Sequence, residues 1–237
     1  WYLDVFAKNL IGSFDTTKYG AIPMIYVGLF PFLLAFLFFF VKSIRFHVKL
    51  AYLTLLVILI ASFYLQALDL FWQGMHAPNM FLHRYAWLFS LTILFMAAEV
   101  LNRIKEINWQ RLCLAFSLVS IGFILTFIYR KHYHFLTSSH YVLTLEFLLV
   151  FLTVTLAFTV RKLSYTIFSA VILFFCLFEV SINSYYQIDG IANEWVFAAR
   201  SSYQGKIPAI DKLTSSLQDD QNFYRTEILQ PQTGNDS

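Results

Sequence analysis

Apolar residues run along this chain in long, nearly unbroken stretches. They do not show the period of 2 or 3.6 that marks a half-buried strand or a surface helix. Six runs stand out, at 24–41, 50–68, 85–101, 112–129, 141–160 and 163–182. A helix needs about 20 residues (range about 17–25) to cross a bilayer, and each run reaches that length with its flanks. Backbone polar groups in hydrocarbon must be paired within their own segment, so the runs predict helices; the alternation of a membrane barrel is absent. The pattern predicts an all-α polytopic membrane protein with about six transmembrane helices over 24–182. An extracytoplasmic segment at 1–23 precedes them, and a small extracytoplasmic α/β-type tail at 183–237 follows, expected to be part of a larger outer domain. In the tail, Pro208 is suited to open a short helix reaching Leu217, with Ile210, Leu213 and Leu217 on one stripe, and 222–229 reads as a strand.

Composition agrees. Hydrophobic residues make up 59% and charged residues 13%, against about 25% charged in soluble domains. Disorder, coiled coil and a disulfide scaffold are excluded, and a net charge of +3 gives no reason to expect nucleic acid. The basic residues are instead unevenly placed. The loops at 42–49, 102–111 and 161–163 hold eight Lys and Arg, whereas the other loops and the N-terminal segment hold five. The positive-inside rule puts the first three loops in the cytoplasm and both ends of the chain outside. The chain opens on Trp1 without a signal-peptide pattern, which fits a processed chain or a piece of a longer one. Cys113 and Cys176 lie within apolar runs and read as buried thiols.

Ionisable residues at membrane depth are candidates for function. Glu99 has a pairing partner four residues on in Arg103. Glu146 and Glu179, near the outer ends of consecutive spans, either reach headgroup water or line a polar cavity open to the outside. The loop from Asp69 to Tyr85 combines turn formers (Gly74, Pro78, Asn79) with aromatics and Met, so it is expected in the interface or folded back into the bundle. It ends in His83-Arg84 at the mouth of the third span, where Arg84 suits a phosphate or lipid headgroup. His132, His134 and His140 read as interface anchors, since their loop holds no carboxylate, and no metal site is expected. No nucleotide, zinc-protease or serine-hydrolase motif occurs.

Three segments together resemble the YfhO family of bacterial membrane proteins. Gly20, Pro23, Tyr26 and Gly28 match a pattern just before a span; Trp72, Gly74, Pro78, Arg84, Tyr85 and Phe89 match a loop with an Arg at a helix mouth; and 207–226 is similar to the stretch that follows the family's membrane block. The resemblance implies the later membrane module of a longer glycosyltransferase of GT-C architecture, in the plasma membrane of a Gram-positive bacterium. It implies an undecaprenyl-phosphate sugar as donor and lipoteichoic or wall teichoic acid as acceptor. Membrane lipids would surround it, and a partner glycosyltransferase would make the donor. Arg84, His83, Tyr85 and Trp72 would then bind substrate. The base would be a carboxylate in an outer loop before Trp1, with Asp69, Glu146 and Glu179 as candidates inside this chain, and the fragment alone is expected to be inactive. A transporter or lipid flippase, or a non-catalytic scaffold, remains as an alternative reading of the residues.

Overall fold

The computed structural model of the chain describes residues 2–18, 20–77, 82–194 and 200–216. They form nine α-helices, with no strand among the described residues. The helices are α1 (Asp4–Ala7), α2 (Leu29–Phe38), α3 (Phe46–Tyr64), α4 (Gln66–Trp72), α5 (Trp87–Leu101), α6 (Trp109–Ile128), α7 (Ser138–Thr159), α8 (Tyr165–Glu194) and α9 (Arg200–Ser216). Five stretches are long and apolar enough to cross a membrane: Phe46–Tyr64, Arg84–Leu101, Trp109–Ile128, Ser138–Thr159 and Tyr165–Glu194. They follow five of the six predicted runs.

The first run differs. Instead of one span over 24–41, it gives an extended stretch followed by a ten-residue helix, α2. Gly28 sits at φ +86°, a conformation that stops a helix from running through it. Pro31 falls in the first turn, where its missing N–H costs nothing. At about 1.5 Å per residue, α2 is about half as long as a bilayer core is thick. It is apolar all round, and eight of its ten residues are buried, so it forms the centre of the bundle rather than a face of it. It packs chiefly on α5, then on α6 and α7.

The long helices are one-sided. α3 buries only Leu56, Leu59, Ser62 and Phe63. α8 buries Phe168, Ile172, Glu179 and Asn183, a single stripe along thirty residues. It continues well past residue 182, to Glu194. The exposed apolar faces of α3, α6 and α8 are what lipid contact requires.

Residues 3–17 have little regular structure beyond the single turn of α1, yet much of this segment lies deep in the bundle: Ala7, Asn9, Leu10 and Ile11 are fully buried. Irregular backbone of this kind survives only if other groups satisfy it, and polar side chains of α7 and α8 do so. Ile11 N–H donates to Thr144 Oγ1 (3.0 Å) and Gly12 N–H to Asn183 Oδ1 (2.9 Å). Thr17 N–H donates to Glu194 Oε2 (2.8 Å), and Gln187 Nε2 donates to the Ser13 carbonyl (3.2 Å). Glu179, Asn183, Gln187 and Glu194 recur at helical spacing, so one face of α8 is committed to this segment. Two glycines allow the approach. A side chain at Gly122 would run into the Phe6 ring, and one at Gly190 into the Phe14 ring.

The chain divides into two compact units, 1–194 and 195–237. In the second, α9 is already helical at Arg200, so Pro208 lies inside a helix rather than at its start. There Pro208 removes one backbone bond and crowds the preceding turn, a cost of about 3 kcal/mol. Residues 222–229, read above as a strand, lie outside the described residues.

Candidate functional site

The segment between α3 and α5 builds a polar cluster in an aromatic frame. α3 ends at Tyr64, and Leu65, in an extended conformation (φ −101°, ψ 110°), turns the chain into α4. Gly74 and Met75, both at positive φ, close the far end of α4. The chain comes back at His83, in the left-handed region at φ 55°, and enters a 3-10 turn, Arg84–Ala86, that leads into α5. A non-glycine residue held at positive φ costs roughly 1–3 kcal/mol and tends to mark function.

Four residues of the predicted site meet here. His83 Nδ1 lies 3.0 Å from Asp69 Oδ1, and the single hydrogen of Tyr85 OH is shared between that oxygen at 3.0 Å and the Ser62 carbonyl at 2.7 Å. Trp72 Nε1 donates to Ser62 Oγ (3.0 Å), whose hydroxyl donates to the Ile58 carbonyl (2.7 Å). Tyr85 is stacked between Trp72 and Phe63, with ring centroids 5.7 and 5.8 Å away. Asp69 and His83 stay partly open, at 20% and 14% side-chain exposure. An ionised carboxylate only accepts, so the Nδ1 of His83 carries the proton and its Nε2 is left as an acceptor. Arg84 is exposed at the next position. Both polar atoms of the Gln73 side chain are buried without a hydrogen-bond partner among the described residues, which is unusual for a buried amide.

The remaining candidates have separate places. Glu179, 1% exposed, accepts from Leu29 N–H (2.7 Å) and from Tyr26 OH (2.5 Å), so it caps the start of α2 from another helix. Glu146 is exposed on α7, off that helix's buried stripe. Glu99 is paired with Arg103, as its spacing suggests. His140 is buried near the start of α7, where its Nδ1 accepts from Thr137 N–H (3.2 Å), while His132 and His134 are exposed. Among the described residues, no three of His, Cys, Asp and Glu come together as metal ligands would.

A second cluster escaped the sequence reading. Asp4, 4% exposed, accepts from Tyr133 OH (2.9 Å) and also bonds Tyr64 at the end of α3. Burial and the adjacent Asp4 carboxylate raise the Tyr133 phenol well above its ordinary range. Lys8, 3% exposed, lies 5.1 Å from the Phe135 ring centre. Burial lowers its ammonium to about 8, against the opposing pull of Asp15 and Asp4. Asp4 and Lys8 are four residues apart among Val5, Phe6, Ala7, Leu10 and Ile11. That setting was the available signal: two opposite charges within an apolar stretch.

Neither the curated proteins nor the solved structures include a match to this chain. One family model, described as bacterial membrane protein YfhO, matches residues 1–237. The motifs around Gly28 and Arg84, the multi-pass helical build and this match agree: the chain belongs to the YfhO family of bacterial membrane proteins.

Proposed function

We propose that this chain is the membrane module of a glycosyltransferase that moves a sugar from a polyprenyl-phosphate donor to a cell-envelope polymer such as lipoteichoic or wall teichoic acid. The observation that supports it most is the Asp69–His83 pair, set beside Trp72 and Tyr85 with Arg84 exposed at the next position. A carboxylate that orients a histidine is the arrangement used to take a proton from a hydroxyl. In this reading His83 Nε2 removes the acceptor's proton as its oxygen attacks the anomeric carbon. The bond from that carbon to the phosphate oxygen breaks, and the phosphate leaves with the electron pair. Arg84 supplies positive charge for the departing phosphate. Trp72 offers an aromatic surface for the sugar ring. Asp69 is the pair's orienting group, and Glu179 has a structural role. The partner enzyme that loads the donor, and any divalent metal, belong to this proposal and are untouched by the geometry.

The test is polymer glycosylation by the full-length protein in cells. Arg84→Ala is expected to abolish it while the protein still accumulates in the membrane. Arg84→Lys should recover it in part, because a point charge does not reproduce a bidentate fork. Full activity in Arg84→Ala sinks the donor-site assignment.

The proposed topology has six crossings, α2 and its extended lead counting as the first, with 42–49, 102–111 and 161–163 inside. Single cysteines at Ser43 and Ser201, in a protein lacking Cys113 and Cys176, report on it. An impermeant thiol reagent applied to intact cells should label position 201 and spare position 43; the reverse pattern inverts the topology.

One observation favours a transport reading: α2 is a half-length helix preceded by extended chain, as in many transporters. Such helix ends hold the transported ion or substrate, and here Glu179 already occupies that end. Uptake or flipping of a lipid-linked sugar by purified protein in vesicles, with no transfer to polymer, would favour transport.

A further inference from the structure

At the end of α5 opposite the Asp69 cluster, the α5–α6 and α7–α8 loops meet around a cavity of about 350 Å³. Lys105 lines it from the first loop and Arg161 from the second, with Phe158, Leu163 and Tyr165 as apolar walls. Among the described residues, no acidic side chain lines it. Lys105 Nζ sits 5.6 Å from the Tyr165 ring centre, which steadies the lysine without neutralising it. Both cationic side chains are exposed, and neither has an ion pair or side-chain hydrogen bond among the described residues. Arg103, two positions before Lys105, is by contrast consumed by Glu99.

The backbone at Arg161 adds an independent reason. Arg161 follows the last turn of α7 at φ 61°. Arg161 N–H donates to the Phe158 carbonyl and Lys162 N–H to the Ala157 carbonyl, both at 2.9 Å. This is the helix-ending motif whose left-handed position glycine normally fills, since any Cβ is strained there. Glycine would end α7 equally well with less strain. An arginine in that place is explained by what its guanidinium does at the cavity.

We infer that this cavity binds the phosphate of an anionic phospholipid from the adjacent leaflet. Two cations from different loops match a phosphate, and arginine grips one with two parallel bonds. The apolar walls and the interfacial tyrosine suit a headgroup with acyl chains attached rather than a free anion. Basic pockets between helix ends on the cytoplasmic side are used in this way. The site is separate from the transfer chemistry proposed above and does not depend on it.

Purified full-length protein, titrated with phosphatidylglycerol and with phosphatidylcholine and read by native mass spectrometry, tests this. Phosphatidylglycerol should be retained at least about tenfold better. Lys105→Ala and Arg161→Gly should each reduce that preference about fivefold or more, and the double variant should erase it. Arg161→Gly should at the same time raise the melting midpoint or leave it unchanged, since it relieves strain; loss of lipid together with gain in stability separates a binding role from a structural one. Lys131→Ala, which removes a basic residue from the other side, should leave the preference intact. The inference is overturned if the Lys105 and Arg161 variants keep the preference, if Lys131→Ala lowers it equally, or if millimolar inorganic phosphate displaces the lipid as readily as phosphatidylglycerol itself does.

Discussion

Replacement of Glu179 by Leu will unfold or strongly destabilise the protein, whereas Glu179→Gln will leave it folded. Oε1 of Glu179 accepts from both Leu29 N–H and Tyr26 OH in a site that is 1% exposed. Leucine leaves two buried donors without a partner, at about 1–3 kcal/mol each, and the sum is on the order of 3–5 kcal/mol. The loss falls on the start of α2, the helix that α5, α6 and α7 pack around, so it spreads to the whole bundle. Glutamine keeps an acceptor oxygen in the same place and should cost about 1–2 kcal/mol, for the amide it strands. Melting midpoints of the purified variants provide the measurement. Equal midpoints for Glu179→Leu and the parent would remove the cap from the account. A stable Glu179→Gln protein devoid of polymer glycosylation would instead return Glu179 to the list of chemical groups.

The second large effect is on activity. His83→Ala in the full-length protein is expected to lower the turnover number by about 10²–10⁴, the usual contribution of a positioned general base. Asp69→Asn should lower it almost as far, because an amide does not hold the Nδ1–H tautomer as a carboxylate does. Tyr85→Phe removes one donor to Asp69 and keeps the ring between Trp72 and Phe63; a loss of about tenfold follows if that bond is worth roughly 1–1.5 kcal/mol. In all three, KM for the donor should change little; the melting midpoint should stay near that of the parent for His83→Ala and Asp69→Asn, while Tyr85→Phe should lower it somewhat because it also strands the buried Ser62 carbonyl. If His83→Ala retains more than a tenth of the parent's turnover, the base lies elsewhere and the Asp69–His83 pair is structural.

Much of this was legible in the sequence, and the failures share a cause. Five apolar runs became helices, four of them within a few residues of their predicted limits and the last, α8, running twelve residues past 182, because length and hydropathy decide whether a segment can cross but not where it stops in water. The same criterion read 24–41 as one continuous helix, since a hydropathy average over many Phe and Leu absorbs Gly28 and Pro31 and ignores what they do to a backbone. Trp72, Asp69, His83 and Tyr85 were found because they sit in one loop whose composition contradicts its surroundings. Ser62, which ties Trp72 and Tyr85 to α3, was missed as a lone hydroxyl within an apolar run. Glu179 was noticed as an acid in a span, but its partners lie about 150 residues away at Tyr26 and Leu29, and no local pattern names them. The polar face of α8 had the right spacing and was read instead as the start of an outer tail.

The order in which the ribosome releases these parts has a consequence for assembly. Gly12 must find Asn183, and Thr17 must find Glu194, 171 and 177 residues later in the chain. At about 5–20 residues per second, the first segment waits roughly 10–35 s for the helix that satisfies its backbone. Throughout that interval its free N–H groups and buried-to-be Asp4 and Lys8 stand where lipid cannot receive them. The segment therefore has to be held in water or by an insertion factor until α8 arrives, and a protein stalled before residue 179 should be a substrate for membrane proteases rather than a stable intermediate.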